Sequence, residues 1–239
     1  MDIFSPDIIM TFITLSGLEI VLGIDNLIFI ALVVQNLPKT YRRKARIIGL
    51  VLALVIRGLM LLGASWIMSL THPILTVSGF GLSFKDLMLL GGGLFLIAKA
   101  TFEMHADMAG EAEQKEIVAA NGFFNAVLQI AFIDFVFSFD SIITAVGMTS
   151  NLEVIFAAIL VSMAVMLFAS GYISEFLQQY PTFKMLALAF ILMIGVLLMA
   201  EGLHFHFPRQ YVYVAFAFSI FVEIMNTIAS KKRNRKKGH

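Results

Sequence analysis

The chain has 239 residues, of which 59% are hydrophobic and 14% charged. With a mean hydropathy of +0.91, that excludes an ordinary soluble domain, for which about half apolar and a quarter charged is usual. The absence of cysteine excludes disulfides, thiolate metal sites and cysteine nucleophiles, and the net charge of +1 says less than the placement of the charges.

Apolar runs of membrane-spanning length recur along the chain. They predict seven spans at 8–34, 46–69, 82–101, 122–148, 153–174, 185–203 and 210–229. The first Lys is residue 39, so no basic segment precedes an apolar run and a cleaved signal peptide is not expected. Span 1 contains "GLEIVLGIDN" (17–26), which places Glu19, Asp25 and Asn26 inside the apolar run. The connector after it holds Lys39, Arg42, Arg43, Lys44 and Arg46. Span 2 has Arg57 near its middle, and span 3 carries Gly91, Gly92 and Gly93, read as permitting close helix packing. Lys99 and Glu103 are i,i+4 partners at the end of span 3, and a polar connector follows at 102–120. Span 4 contains "IDFVFSFDSI" (133–142), with Asp134, Asp140 and Ser141. Glu201 and His204, three apart, close span 6, where His206 also lies. Glu223 and Asn226 are inside span 7. Residues 230–239 form a basic tail with Lys231, Lys232, Arg233, Arg235, Lys236 and Lys237.

With seven spans, the first connector and the tail fall on one side, which their charge makes cytoplasmic, since the connectors on the other side carry few basic residues, chiefly Lys85 and Arg209 near span ends. The expected orientation is N-terminus outside and C-terminus inside. The tail reads as a topology anchor and also suits anionic lipid.

The chain contains an internal repeat. Aligning Glu19 with Asp134 brings Val21 onto Val136, Asp25 onto Asp140, Asn26 onto Ser141 and Ile28 onto Ile143. The second spans match as "LMLLGASWI" (59–67) and "VMLFASGYI" (165–173), and the third begin "FKDL" (84) and "FKML" (183). Repeat one is 8–101, repeat two 122–203, with an extra helix at 210–229. Three spans is an odd number, so the second copy enters the membrane inverted, the plan of transporters whose sites lie at the midplane between repeats. The expected fold is all-α: a polytopic bundle of two inverted three-helix repeats plus one C-terminal helix, in one transmembrane domain.

Inversion predicts that Glu19 shares a depth with Asp140, and Asp25 with Asp134. The two layers are then about 9 Å apart, six residues of helical rise. Helix phase puts Glu19 and Asn26 on one face, as it does Asp134 and Ser141, and turns Asp25 and Asp140 away unless the helix is distorted near Gly23 or Ser138.

A charged side chain at mid-bilayer costs roughly 2.5–3.5 kcal/mol, so four acids together cost on the order of 10 kcal/mol. Something positive belongs among them: Arg57, a bound cation, or protons. Carboxylates, an amide and a hydroxyl are hard donors that suit Mg²⁺, Ca²⁺ or Mn²⁺. The 14 methionines are scattered and read as apolar packing. The metal positions are therefore Glu19, Asp25, Asn26, Asp134, Asp140 and Ser141, with Arg57, Glu201, His204 and Glu223 as accessory candidates. Glu201 and His204 equally suit a polar cap at the interface, and Glu223 a structural hydrogen bond.

"LEIVLGIDNLIFI", "DFVFSFDSI" and "AEGLHFHFP" together resemble the TerC family of integral membrane proteins, over nearly the whole chain. The resemblance implies a bacterial inner-membrane protein of the lysine-exporter superfamily, associated with manganese export, and it carries the metal role to the six positions named above. The expected function is export of divalent cations, Mn²⁺ first, by alternating access. The alternative is a membrane-protein assembly factor without transport. No tightly bound cofactor and no nucleic-acid partner is expected; the partners are the metal ion and the bilayer. An intramembrane aspartyl protease would also need two facing aspartates. Here four acids form two matched pairs, and "LGIDN" lacks the G-x-G-D setting of such enzymes. Tellurite fits poorly, because carboxylates repel an oxyanion.

Overall fold

The computed structural model describes residues 5–77, 80–109, 119–205 and 207–237. His206 and the centre of the 102–120 connector lie outside the described residues. The elements are α1 (Pro6–Leu22), α2 (Ile24–Gln35), α3 (Lys39–Leu62), α4 (Ala64–Ser69), β1 (Pro73–Val77), β2 (Phe80–Ser83), α5 (Phe84–Met108), α6 (Ala119–Met148), α7 (Leu152–Gln179), α8 (Pro181–Gly202) and α9 (Arg209–Lys237). Seven helical segments are long and apolar enough to cross a membrane, with α1 and α2 forming one of them. The fold is all-α and polytopic apart from one short hairpin.

Local chemistry sets the boundaries. Proline occupies the first position of α1 and of α8, where its missing N–H is no loss. Asn151 caps α7 by accepting from the N–H groups of Glu153 and Val154. Ser83 and Asp86 form a reciprocal capping box at the start of α5: Ser83 N–H donates to Asp86 Oδ2 at 2.8 Å, and Asp86 N–H to Ser83 Oγ at 3.2 Å. Helix α5 continues to Met108, seven residues past the expected end of span 3, and α9 extends to Lys237, so the basic tail continues a helix.

Glycine interrupts both leading spans of the first half, at Gly23 between α1 and α2 and at Gly63 between α3 and α4. The matched positions of the second half are Ser138 and Ala169, and α6 and α7 run through them unbroken. The interruption at Gly23 is shallow. Its φ of −82° and ψ of −6° stay near helical values, and its N–H still reaches the Glu19 carbonyl at 2.9 Å.

The hairpin was not expected from the pattern of spans. It pairs Pro73–Val77 with Phe80–Ser83 in antiparallel register, Thr76 opposite Gly81 and Val77 opposite Phe80. It defines one end of the bundle, called here the hairpin end. Lys39–Arg46 marks the opposite, basic end.

Helix α5 packs most extensively on α8, α3 on α6, and α1 with α2 on α7; α2 also meets α6, and α3 meets α7. Exchanging the first three spans with the second three maps each of these pairings onto another or onto itself. The α5–α8 contact is backbone to backbone. A Cβ on Gly93 would lie 2.6 Å from the Gly195 carbonyl oxygen, and one on Gly195 would lie 2.8 Å from that of Gly93. Gly92 faces Val136 just as closely, whereas Gly91 faces open space. Helix α9 packs against α8, and nothing in its most apolar stretch is buried. The buried apolar core, including Leu15, Phe29, Leu96, Ile130, Ile159 and Phe190, surrounds a polar centre.

Candidate functional site

That centre is built on Arg57, which α3 carries into the middle of the bundle, where it is 2% exposed. Its Nη1 donates to Glu19 Oε2 at 2.8 Å. Its Nε and Nη2 form a fork onto Asp134, at 3.0 Å to Oδ2 and 2.9 Å to Oδ1. Asn26 Nδ2 donates to Asp134 Oδ1 at 3.0 Å, and Ser138 Oγ to Asp134 Oδ2 at 3.0 Å. Glu19, Asn26 and Asp134 are as buried as the arginine. Helices α1, α3 and α6 thus meet on one guanidinium, and α2 joins them through Asn26 on Asp134. A pair this dry needs good geometry to offset its desolvation, and the two-pronged Arg–carboxylate fork supplies it.

The single Ser138 hydroxyl proton is shared between Asp134 Oδ2 and the Asp134 carbonyl one turn back, and Ser141 Oγ donates to the Ser138 carbonyl at 3.3 Å. Ser141 is buried beside the network without touching a carboxylate. Asp25, also buried, faces the other way and accepts from Tyr213 Oη of α9 at 3.2 Å.

Not every oxygen here is engaged. Glu19 Oε1, Asp25 Oδ1, Asn26 Oδ1 and Ser16 Oγ are buried without a hydrogen-bond partner. All four belong to the α1–α2 span. Buried acceptors are nearly always paired in folded proteins, and these unpaired carboxylate, amide and hydroxyl oxygens are hard donors.

A second cluster lies toward the hairpin end. Asp140 accepts from Lys85 at 2.9 Å and from Arg209 at 3.2 Å. Arg209 also donates to Glu201 at 2.9 Å, and Lys85 stands 3.9 Å from Glu201. Two acids and two bases from α5, α6, α8 and α9 so form one partly exposed ion-pair network. His204 Nε2 lies 3.0 Å from Asp86 Oδ2. It does not sit one turn from Glu201 on a helix, because α8 ends at Gly202 and His204 takes a left-handed φ of 63°. Such a conformation in a non-glycine residue is held by its surroundings at a cost.

The sequence positions are therefore distributed over three places. Glu19, Asn26 and Asp134 share the Arg57 centre, Asp25 adjoins Tyr213, and Asp140 belongs to the hairpin-end network with Glu201. Glu19 and Asp134, expected in different layers, instead meet on one guanidinium, so the two-layer expectation does not hold for this pair. Asp25 and Asp140 turn away from the centre, as unbroken helix phase requires. Glu223 lies half-buried on α9, far along that helix from Tyr213. Among the described residues, no three His, Asp or Glu side chains stand together as a ready-made metal cage. The spacing argument missed Ser16, Tyr213, Lys85 and Arg209 as members of these clusters. Ser16 was legible as a polar residue one turn before Glu19; Lys85 and Arg209 read only as span-end charges.

The chain matches the model of the integral membrane protein TerC family over residues 4–238. It is 45% identical over 226 residues to a UPF0053 protein of Haemophilus influenzae, covering 94% of this chain and 95% of that one. It is 44% identical to the UPF0053 inner membrane protein YgdQ of Escherichia coli, with 92% of each chain covered. It is also 46% identical to the inner membrane protein YoaE of the same organism, over 96% of this chain but only 44% of that protein's length. No solved structure matches it.

Proposed function

Because the chain belongs to the integral membrane protein TerC family and is a multi-pass inner-membrane protein, we propose that it exports divalent metal cations, Mn²⁺ first, by alternating access. The observation that carries this reading is the set of unpaired buried oxygens on the α1–α2 span, Glu19 Oε1 and Asn26 Oδ1 at the Arg57 centre and Asp25 Oδ1 next to Tyr213. At the centre Glu19 and Asp134 against one guanidinium leave one negative charge when both are ionised, and Asp25, turned from the centre on the same span, supplies a second, together the complement of one divalent cation. Carboxylate and amide oxygens are the ligands that hard cations take.

Arg57 is then the internal counter-ion. It keeps Glu19 and Asp134 neutralised between transport events, and an arriving cation competes with it for the same acids. The self-mapping pairings of the six leading spans support two inverted repeats with the site between them. The basic end is cytoplasmic on the rule that Lys and Arg accumulate inside. The hairpin-end ion pairs of Lys85, Asp140, Glu201 and Arg209 form a charged layer about 9 Å beyond Asp134, six residues along α6. At the basic end Glu103 accepts from Asn36 at 2.7 Å and Lys99 at 2.6 Å. Polar pairs thus close both ends, and alternating access opens one set at a time. Asp140 acts in this scheme as part of the outer closure. A transporter is favoured over an aspartyl protease because Glu19 and Asp134 share a guanidinium, whereas a catalytic acid dyad shares a proton.

The test is Mn²⁺ flux into a fluorescent reporter inside proteoliposomes, for the natural sequence, Asp25→Asn and Asp134→Asn. Flux from the natural protein that both folded variants lose is the expected result. A natural protein no faster than empty liposomes, under a pH gradient of either direction, overturns transport and leaves the assembly-factor reading.

A further inference from the structure

At the basic end, α3 and α7 enclose a second pocket lined by Arg43, Arg46, Ile47, Leu167, Phe168, Gly171, Tyr172 and Glu175. It is remote from the carboxylate centre, and transport as proposed above does not use it. Its chemistry is divided. Two guanidiniums lie at one side, and Ile47, Leu167 and Phe168 form an apolar wall. Tyr172 is 78% and Phe168 72% exposed, which in a membrane bundle means that they face the bilayer and its interface.

The basic residues of this connector are not equivalent. Arg42 is consumed by the fold: it donates to the carbonyls of Leu37 and Gln35 and to the Gln178 side chain. Arg46 is not. Its Nε is buried without a hydrogen-bond partner, although buried donors are rarely left so. Glycine at 171 makes the room for it, since a Cβ there would lie 3.1 Å from Arg46 Nη2. Glu175 and Arg43 both lie within electrostatic reach of Arg46. Two arginines against one glutamate leave the pocket net positive.

We infer that this pocket binds an anionic phospholipid, with the headgroup phosphate on Arg43 and Arg46 and an acyl chain along Ile47, Leu167 and Phe168. Arginine is the side chain suited to phosphate, through its planar fork of donors. The cytoplasmic leaflet, where the positive-inside rule puts this end, supplies anionic lipid. A free phosphate would satisfy the arginines but leave the apolar wall without a partner.

Native mass spectrometry of the full chain, released from micelles doped with phosphatidylglycerol or phosphatidylcholine, tests it. Retention of one phosphatidylglycerol in preference to phosphatidylcholine is expected. Arg43→Gln with Arg46→Gln should lower that retention about tenfold or more, while Lys44→Gln, exposed on the same turn, should leave it unchanged. Thermal melting in detergent shows that each variant is folded, and stabilisation of the natural protein by phosphatidylglycerol should vanish in the double variant only. Equal retention of both lipids, or equal loss with Lys44→Gln, overturns the proposal in favour of diffuse charge attraction. Competition by inorganic phosphate at millimolar concentration as effective as that by the lipid overturns the acyl-chain half of it.

Discussion

Replacing Arg57 with methionine tests the centre of the bundle most directly. The side chain keeps much of its length and loses its charge, so the packing changes little while Glu19 and Asp134 lose three hydrogen bonds of 2.8–3.0 Å. All three residues are buried, so water does not take over the interaction. Removing one partner of a buried ion pair costs about 3–5 kcal/mol, and with two carboxylates stranded the upper part of that range is expected. The assay is unfolding in mixed detergent–SDS micelles followed by Trp66, the single tryptophan, on α4 next to α6. Adding Glu19→Gln and Asp134→Asn to Arg57→Met should recover most of the loss, because neutral amides no longer need a counter-charge. A loss below about 1 kcal/mol for Arg57→Met would falsify the counter-ion assignment, as would a triple variant no more stable than the single.

Further outcomes follow from other contacts. Gly93→Val should destabilise by about 1–3 kcal/mol or more through overpacking against the Gly195 backbone. Gly91→Ala, facing open space, should be neutral or gain up to about 1 kcal/mol of helix propensity; the same unfolding assay separates the two. Ser83→Ala removes a capping box and should cost about 0.5–2 kcal/mol, read as a lower melting temperature. Tyr213→Phe leaves the ring and removes the donor to Asp25; Mn²⁺ affinity measured by titration should change while the fold persists, and an unaltered affinity would detach Asp25 from the site. Lys85→Gln should loosen the hairpin-end network, with a stability loss of about 1 kcal/mol or less that shrinks further in 1 M salt.

The spans were legible because twenty or so apolar residues in succession admit few other readings, and the acids because a charge within such a run must have a reason. Helix phase also told correctly that Glu19 and Asn26 point together and that Asp25 and Asp140 point away. What sequence spacing leaves open is which helices touch. Arg57 stood out as a buried cation, but its bridging of Glu19 and Asp134 depends on α3 packing against α6. Lys85 and Arg209 looked like span-end charges until the α5, α6, α8 and α9 ends were brought together around Asp140. The hairpin had a local signal, the branched run "ILTV" before "SGFG", which the search for membrane spans passed over.

Helix α9 has one more consequence, for the order in which this protein is made. Domains and helices are completed from the N-terminus during synthesis, so α9 arrives after the six earlier spans. It brings Arg209 to Asp140 and Glu201, and Tyr213 to Asp25, although it contributes little to the apolar interior. Until it docks, Asp25 lacks its Tyr213 donor, and Asp140 and Glu201 have Lys85 but not Arg209. A ribosome stalled before residue 209 would leave in the bilayer a bundle that is folded in outline but electrically unfinished.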